Sequence, residues 1–191
     1  MKAEERLRAV SAFGFTERQA GFLVTVMQHS GVCLGRHYCA FSGLTHGQKV
    51  HDFFTRLLET RIATAHGLGH NRARLYRVHH KGLYQAIGEA DNRFRKPVAL
   101  PRAIERLMVL DAVIADRSLT WLGTERDKVA YFTARVGRKD LPALAFRSAD
   151  EDTVRYFPDK LPIGVTADGL TYVFLYLITR PVPVDFRQFL E

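Results

Sequence analysis

Five polar side chains recur at offsets of three and four between positions 45 and 56: Thr45, Gln48, Lys49, Asp52 and Arg56. On an α-helix this spacing gathers them on one face. Gln, Lys and Arg carry the donors that reach base edges or phosphates in a groove, so the pattern implies a helix facing duplex DNA. A second group follows at His70, Asn71, Arg72, Arg74 and Arg77. Phosphate oxygens only accept hydrogen bonds, and a donor-rich segment is suited to gripping a backbone or entering a minor groove.

Other chemistries have weaker claims. Cys33, His37 and Cys39, flanked by His29 and His46, suggest zinc, but Cys-x5-Cys lacks the tight knuckle of structural sites. Buried thiols are the expectation, with Cys39 on the side of its helix that meets the next, and no metal is assigned. His79 and His80 are adjacent on a predicted strand and point to opposite faces, so they do not share an ion. The chain has no Gly-x-Ser-x-Gly elbow, Walker loop or Gly-x-Gly-x-x-Gly. No catalytic residue and no cofactor are expected.

The elements that must position the polar groups are readable from periodicity. A short helix over Glu4 to Val10 leads in. Thr16-Glu-Arg-Gln then opens a capped helix whose Ala20, Leu23, Val26 and Met27 face a core, ending near Ser30-Gly31. A short helix from Arg36 to Ser42, a turn at Gly43 and a longer helix starting at Thr45 fit a helix-turn-helix. In the longer helix Val50, Phe54, Leu57 and Leu58, with Phe53 beside them, form the apolar stripe opposite the polar one. Ile62–His66 and Ala73–Val78 read as strands joined by a Gly-rich loop whose tip is Gly67-Leu-Gly. Directly after a recognition helix, such a hairpin is a wing. RNA is disfavoured because no aromatic platform on a strand stands out.

Composition agrees with this division. The 191 residues hold 28 Lys+Arg and 20 Asp+Glu, a net charge of +8. Before Pro97 there are 15 basic and 7 acidic side chains; from Pro97 onward there are 13 of each. All eight histidines lie between His29 and His80, which predicts tighter DNA binding below pH 7. An apolar share of 47% excludes disorder. No apolar run is long enough to span a membrane, and the N-terminus lacks a signal peptide's apolar core. Two cysteines fit a reducing compartment, so a cytoplasmic location is expected.

The polar segment from Gly88 to Pro97 reads as a domain boundary, giving an α+β chain. Residues 1–90 form a winged helix-turn-helix, and residues 97–191 a small α/β segment with a β-hairpin for packing or dimerisation. Lys81 to Ile87 forms a short helix. Pro101 starts a helix to Ala115 whose apolar residues surround most of its circumference, implying either a central core helix or a homodimer interface. Leu119–Leu122 is a short apolar piece, and Thr124 caps a helix to about Ala134. Val154–Phe157 and Leu161–Val165 lead to the Ala167-Asp-Gly169 turn. Leu170–Thr179 then reads as a strand covered on both faces. A final helix begins at Asp185.

The stretches LTHGQKVHDFFTRLLETRIATA, HNRARLYRVHH and FPDKLPIGVTADGLTYVFLYLITR together resemble the replication-relaxation type of protein from bacterial mobile elements. The resemblance implies a DNA-binding regulator of transcription or replication. It also implies a second segment like a degenerate restriction-endonuclease core. Asp159 stands where that core's first acid falls, but Tyr172–Thr179 has neither acid nor lysine, a poor basis for Mg²⁺ binding. The alternatives are a metal-dependent nuclease using Asp159 and Asp168, and a winged-helix adaptor that binds only protein.

Overall fold

A computed structural model describes residues 1–68, 73–147, 152–157 and 160–178. The chain divides into two compact units, 1–116 and 117–191. It is a mixed α+β protein with small antiparallel sheets.

Unit 1 begins with α1 (Ala3–Ser11) and α2 (Glu17–His29). The start of α2 is fixed by a reciprocal cap, in which the Thr16 hydroxyl accepts from the Gln19 backbone N–H and the Gln19 side-chain Oε1 accepts from the Thr16 N–H. Ala20, Leu23, Val26 and Met27 are fully buried along its inner face. Next come β1 (Val32–Cys33), α3 (Gly35–Ser42) and α4 (Gln48–Glu59). Gly43, at φ +64°, closes α3 in the left-handed conformation that favours glycine. The hairpin β2 (Ala63–Gly67) and β3 (Arg74–Val78) follows, then α5 (Lys81–Ala86). The strands form one sheet in the order β1-β3-β2, with Ala63 opposite Val78 and Cys33 opposite Tyr76. β1 is too short for strand periodicity, and the sequence pattern does not reveal it.

The core of this unit is largely aromatic. Adjacent Phe53 and Phe54 of α4 point to different partners. Phe53 stacks on Tyr38 of α3 at 4.3 Å between ring centroids and meets Phe15 and Phe22 edge-on. Phe54 stacks on Tyr76 of β3 at 4.1 Å. Such pairs add about 0.5–1.5 kcal/mol each beyond burial. Cys33 is fully buried on β1, and burial raises the pKa of its thiol; Cys39 is half-buried against the same core.

The boundary between units falls after Asp116, not at the polar segment before Pro97. Helix α6 (Leu100–Ala115) belongs to unit 1: Leu110 and Ile114 join its main core, and Ala103 and Leu107 pack with Val32 and Leu75. Polarity around Gly88–Pro97 hides one anchor, Phe94, which is buried in a 3-10 turn at Arg93–Arg95. The central-core expectation for α6 does not cover its whole surface, because Leu100, Ile104 and Met108 are exposed on one side. Gly31 shows how tightly the Phe94 segment fits. A Cβ there would stand 2.4 Å from the Phe94 carbonyl oxygen.

Unit 2 contains β4 (Thr120–Leu122), α7 (Glu125–Val136), the hairpin β5 (Ala143–Arg147) and β6 (Asp152–Tyr156), then β7 (Ile163–Val165) and β8 (Tyr172–Phe174). Thr124 caps α7 by accepting from the Asp127 N–H, as its position predicts. The sheet order is β4-β7-β8. Trp121 lies over Gly164 of the facing strand, where a Cβ would meet its ring at 3.1 Å. The long strand expected over 170–179 is corrected to three residues at a sheet edge. Leu170 is 80% and Ile178 73% exposed, so apolar composition there does not mean cover on both faces. The helix expected from Asp185 lies outside the described residues.

Two left-handed glycines separate strain from collision. Gly43→Ala puts its methyl in open space and should cost about 1 kcal/mol of left-handed strain. Gly31→Ala adds the Phe94 collision and should cost roughly 2 kcal/mol more. Urea midpoints check this, and equal losses in the two variants would sink the account.

Candidate nucleic-acid interface

The exposed edge of α4 begins at its N-terminus. Gln48, Lys49, His51 and Asp52 are exposed there, and Thr45 is exposed in the preceding turn. Val50, Phe53, Phe54 and Leu57 hold the opposite side in the core, so the polar edge is the part the aromatic anchors leave outward. Gln48 donates to the Asp52 carboxylate at 2.6 Å, a pairing across one helical turn. His51 was not among the residues selected from sequence, although it stands three residues after Gln48 and the same spacing finds it.

The structure separates the expected basic groups into two kinds. Arg56 turns toward its own unit: it donates to the Gly14 carbonyl at 2.9 Å and lies over the Phe15 ring at 4.7 Å. Arg77 donates to the Arg95 carbonyl at 3.0 Å and so binds β3 to the Phe94 turn. Arg74, at the start of β3, is exposed. His70, Asn71 and Arg72 lie outside the described residues. The structure therefore brings Thr45, Gln48, Lys49 and Asp52 together on or beside α4, puts Arg74 on the hairpin, and uses Arg56 and Arg77 as internal ties.

The histidines also divide. His29 and His37 are buried, while His46, His51 and His66 are exposed. His80 accepts from the Leu83 N–H and caps α5. His37 is held at both nitrogens, with Nδ1 accepting from the Leu34 N–H at 2.9 Å and Nε2 facing Asp111 at 2.9 Å. The neutral ring therefore carries its proton on Nε2. Asp111 also receives both terminal nitrogens of Arg36 at 2.7 Å, an arrangement that fastens α3 to α6. Burial lowers the pKa of His37, outweighing the nearby carboxylate. The hydrogen bonds and charges of Arg36 and His37 lower the pKa of Asp111 despite partial burial.

The Asp168 carboxylate accepts from the Thr166 hydroxyl and from the Leu170 N–H at 2.9 Å, shaping the turn before β8. Asp159 lies outside the described residues. Among the described residues no three His, Cys, Asp or Glu side chains converge as a metal site, and no helix is long and apolar enough to cross a membrane. No protein-family model, curated protein or solved structure matches the chain.

Two measurements test these assignments. Arg56→Ala should destabilise unit 1 by about 1 kcal/mol through its lost backbone bonds. Lys49→Ala should stay within about 0.5 kcal/mol of the parent. Thermal midpoints that fall equally would contradict the division. For pH, the unfolded chain protonates at His37 more readily than the folded one. Unfolding therefore takes up a proton as pH drops through 6.5, and stability falls with it. His79, also lowered by burial, acts in the same direction. Asp111 contributes stability above its ordinary value of 3.8, which is lost as pH falls through its lower folded value. His37→Gln keeps one donor and one acceptor but does not titrate. Its urea midpoints should vary less between pH 7 and 5.5, and an unchanged slope would refute the role given to His37.

Proposed function

We propose that unit 1 is a winged helix-turn-helix that binds duplex DNA, with α4 as recognition helix and the β2–β3 hairpin as wing. The observation that carries this reading is the exposed polar edge of α4 next to a sheet ordered β1-β3-β2. That order places β3 between β1 and β2, with β2 at the sheet edge following α4. The connectivity α2-β1-α3-α4-β2-β3 supports it. Charge supports it too, since residues 1–116 hold 17 basic and 10 acidic side chains, and residues 117–191 hold 11 and 10. A net +7 on the unit carrying the polar helix suits a polyanion.

In this reading Gln48 and Lys49 meet base edges, while Thr45, Arg74 and the hairpin residues His70, Asn71 and Arg72 contact phosphates. Asp52 orients Gln48 through their hydrogen bond. Arg56 and Arg77 hold the helix and wing in place and contact no DNA. His51 joins the interface because it shares the exposed edge. The resemblance to replication-relaxation proteins supports a cytoplasmic regulator of transcription or replication in a bacterial mobile element. A homodimer reading a two-fold site would suit the exposed side of α6.

The test selects bound duplexes from a random pool and measures affinity for the winner against a scrambled duplex across a salt series. Gln48→Ala or Lys49→Ala should cost roughly 1–3 kcal/mol on the selected site alone. Arg74→Ala should weaken both duplexes and reduce the salt slope by about one. If a Gln48→Ala, Lys49→Ala, Arg74→Ala variant binds like the parent, this face is not the interface.

A further inference from the structure

A cavity of about 660 Å³ opens in unit 1 between α4, β3 and the start of α3. This volume lies within the range of small-molecule sites, about 300–1,000 Å³. Its inner wall is apolar, formed by buried Val50 and Phe54 with half-buried Leu34 and Tyr76. Tyr76 brings an aromatic ring and a hydroxyl, and burial raises its pKa, so the hydroxyl keeps its proton. Among the described residues the outer wall is polar and carries no carboxylate: His46 and His51 stand on the α4 side and Arg74 on the β3 side. His46 packs against Gly35, its Nε2 at 3.4 Å from where a Gly35 Cβ would stand, and so closes one end. Arg36 borders the cavity with its guanidinium already paired to Asp111.

An apolar wall with an aromatic member asks for a flat ring. Donors on two sides, with no acid opposing them, ask for an anion that offers acceptors at more than one point. A simple aromatic acid concentrates its acceptors at one end. A nucleotide offers a stacking base with ring acceptors and a phosphate, and the Arg74 guanidinium on the rim, which also meets the Tyr76 hydroxyl, presents a planar fork of donors suited to a phosphate.

We propose that this cavity binds a nucleoside monophosphate, either free or as an unpaired nucleotide of a DNA strand. The base lies against Tyr76 and Phe54, and the phosphate sits between Arg74 and His51. An occupied cavity places negative charge between α4 and β3. A free nucleotide therefore competes with duplex DNA for the same donors. The competition rests on the DNA-binding reading above; the nucleotide site does not.

Calorimetry on the full chain with AMP, adenosine and inorganic phosphate tests the free source. AMP should bind saturably, with adenosine and phosphate at least about tenfold weaker. Arg74→Gln and His51→Gln, both exposed and expected to keep the parent's thermal midpoint, should each weaken AMP at least about tenfold. Arg18→Gln, on the exposed side of α2, should not. A duplex with one unpaired adenosine tests the strand-borne source. It should bind more tightly than its fully paired counterpart, and the gain should vanish in Arg74→Gln. Absence of both AMP binding and this gain would overturn the proposal, as would AMP affinity unchanged in both variants. AMP binding without any duplex binding would uphold the cavity and remove the DNA reading. Duplex binding with neither nucleotide effect would do the reverse.

Discussion

The orientation of α4 depends on two adjacent phenylalanines. Successive helical residues are about 100° apart, so Phe53 and Phe54 stack on different partners, although Tyr38 meets both rings. Phe53 enters the cluster of Phe15, Phe22 and Tyr38, while Phe54 lies against Tyr76 on the hairpin. A single anchor would leave rotation about the helix axis weakly determined. Two anchors about 100° apart fix it, and that sets which residues remain outside. Gln48, Lys49, His51 and Asp52 are exposed because the aromatic contacts on the other side leave no alternative rotation.

The second constraint is the closure of unit 1 by α6. The Arg36–His37–Asp111 contact and the Phe94 turn draw the segment after Ile87 back onto the helices and sheet that precede it. Arg36 and Asp111 are both partly open to water, so their attraction is screened and contributes modestly to stability. Its value is geometric, because the bidentate pair and the buried imidazole fix the register of α3 on α6. The short helix that begins the helix-turn-helix pattern is thus positioned by residues over seventy positions later in the chain.

The legible parts of the chain are those where local chemistry decides the structure. Thr16 and Thr124 cap helices where their positions predict, and Gly43 turns the chain where glycine is needed. The buried stripe of α4 follows from its spacing. Long-range partners were not legible. Phe94 looks like one apolar residue in a polar linker until the backbone at Gly31 is seen beneath it, and the helix after Pro97 looks like the start of something new. Leu170–Thr179 fails for the opposite reason. Hydropathy records what a strand would gain by burial, whereas cover depends on whether another layer arrives. Of the candidate site, the face of α4 was legible, but the destinations of Arg56 and Arg77 were not, since a guanidinium reaches backbone carbonyls and phosphates with the same donors.

That ambiguity bears on what the charge of unit 1 can do. Arg56 and Arg77 still contribute to the long-range potential, because hydrogen bonds to neutral carbonyls do not cancel a charge. In the proposed reading they would add to the attraction of a polyanion while their hydrogen bonds hold them to their own unit. Arg36 differs, since its charge is met by Asp111 at short range. The local grip then falls to Lys49 and Arg74 among the described residues considered for the interface, supported by neutral donors such as Gln48. An interface with few direct cations but a strongly positive unit behind it separates attraction from discrimination. Under the proposed DNA-binding reading, the field would bring any duplex close, and the short polar edge of α4 would decide which one stays.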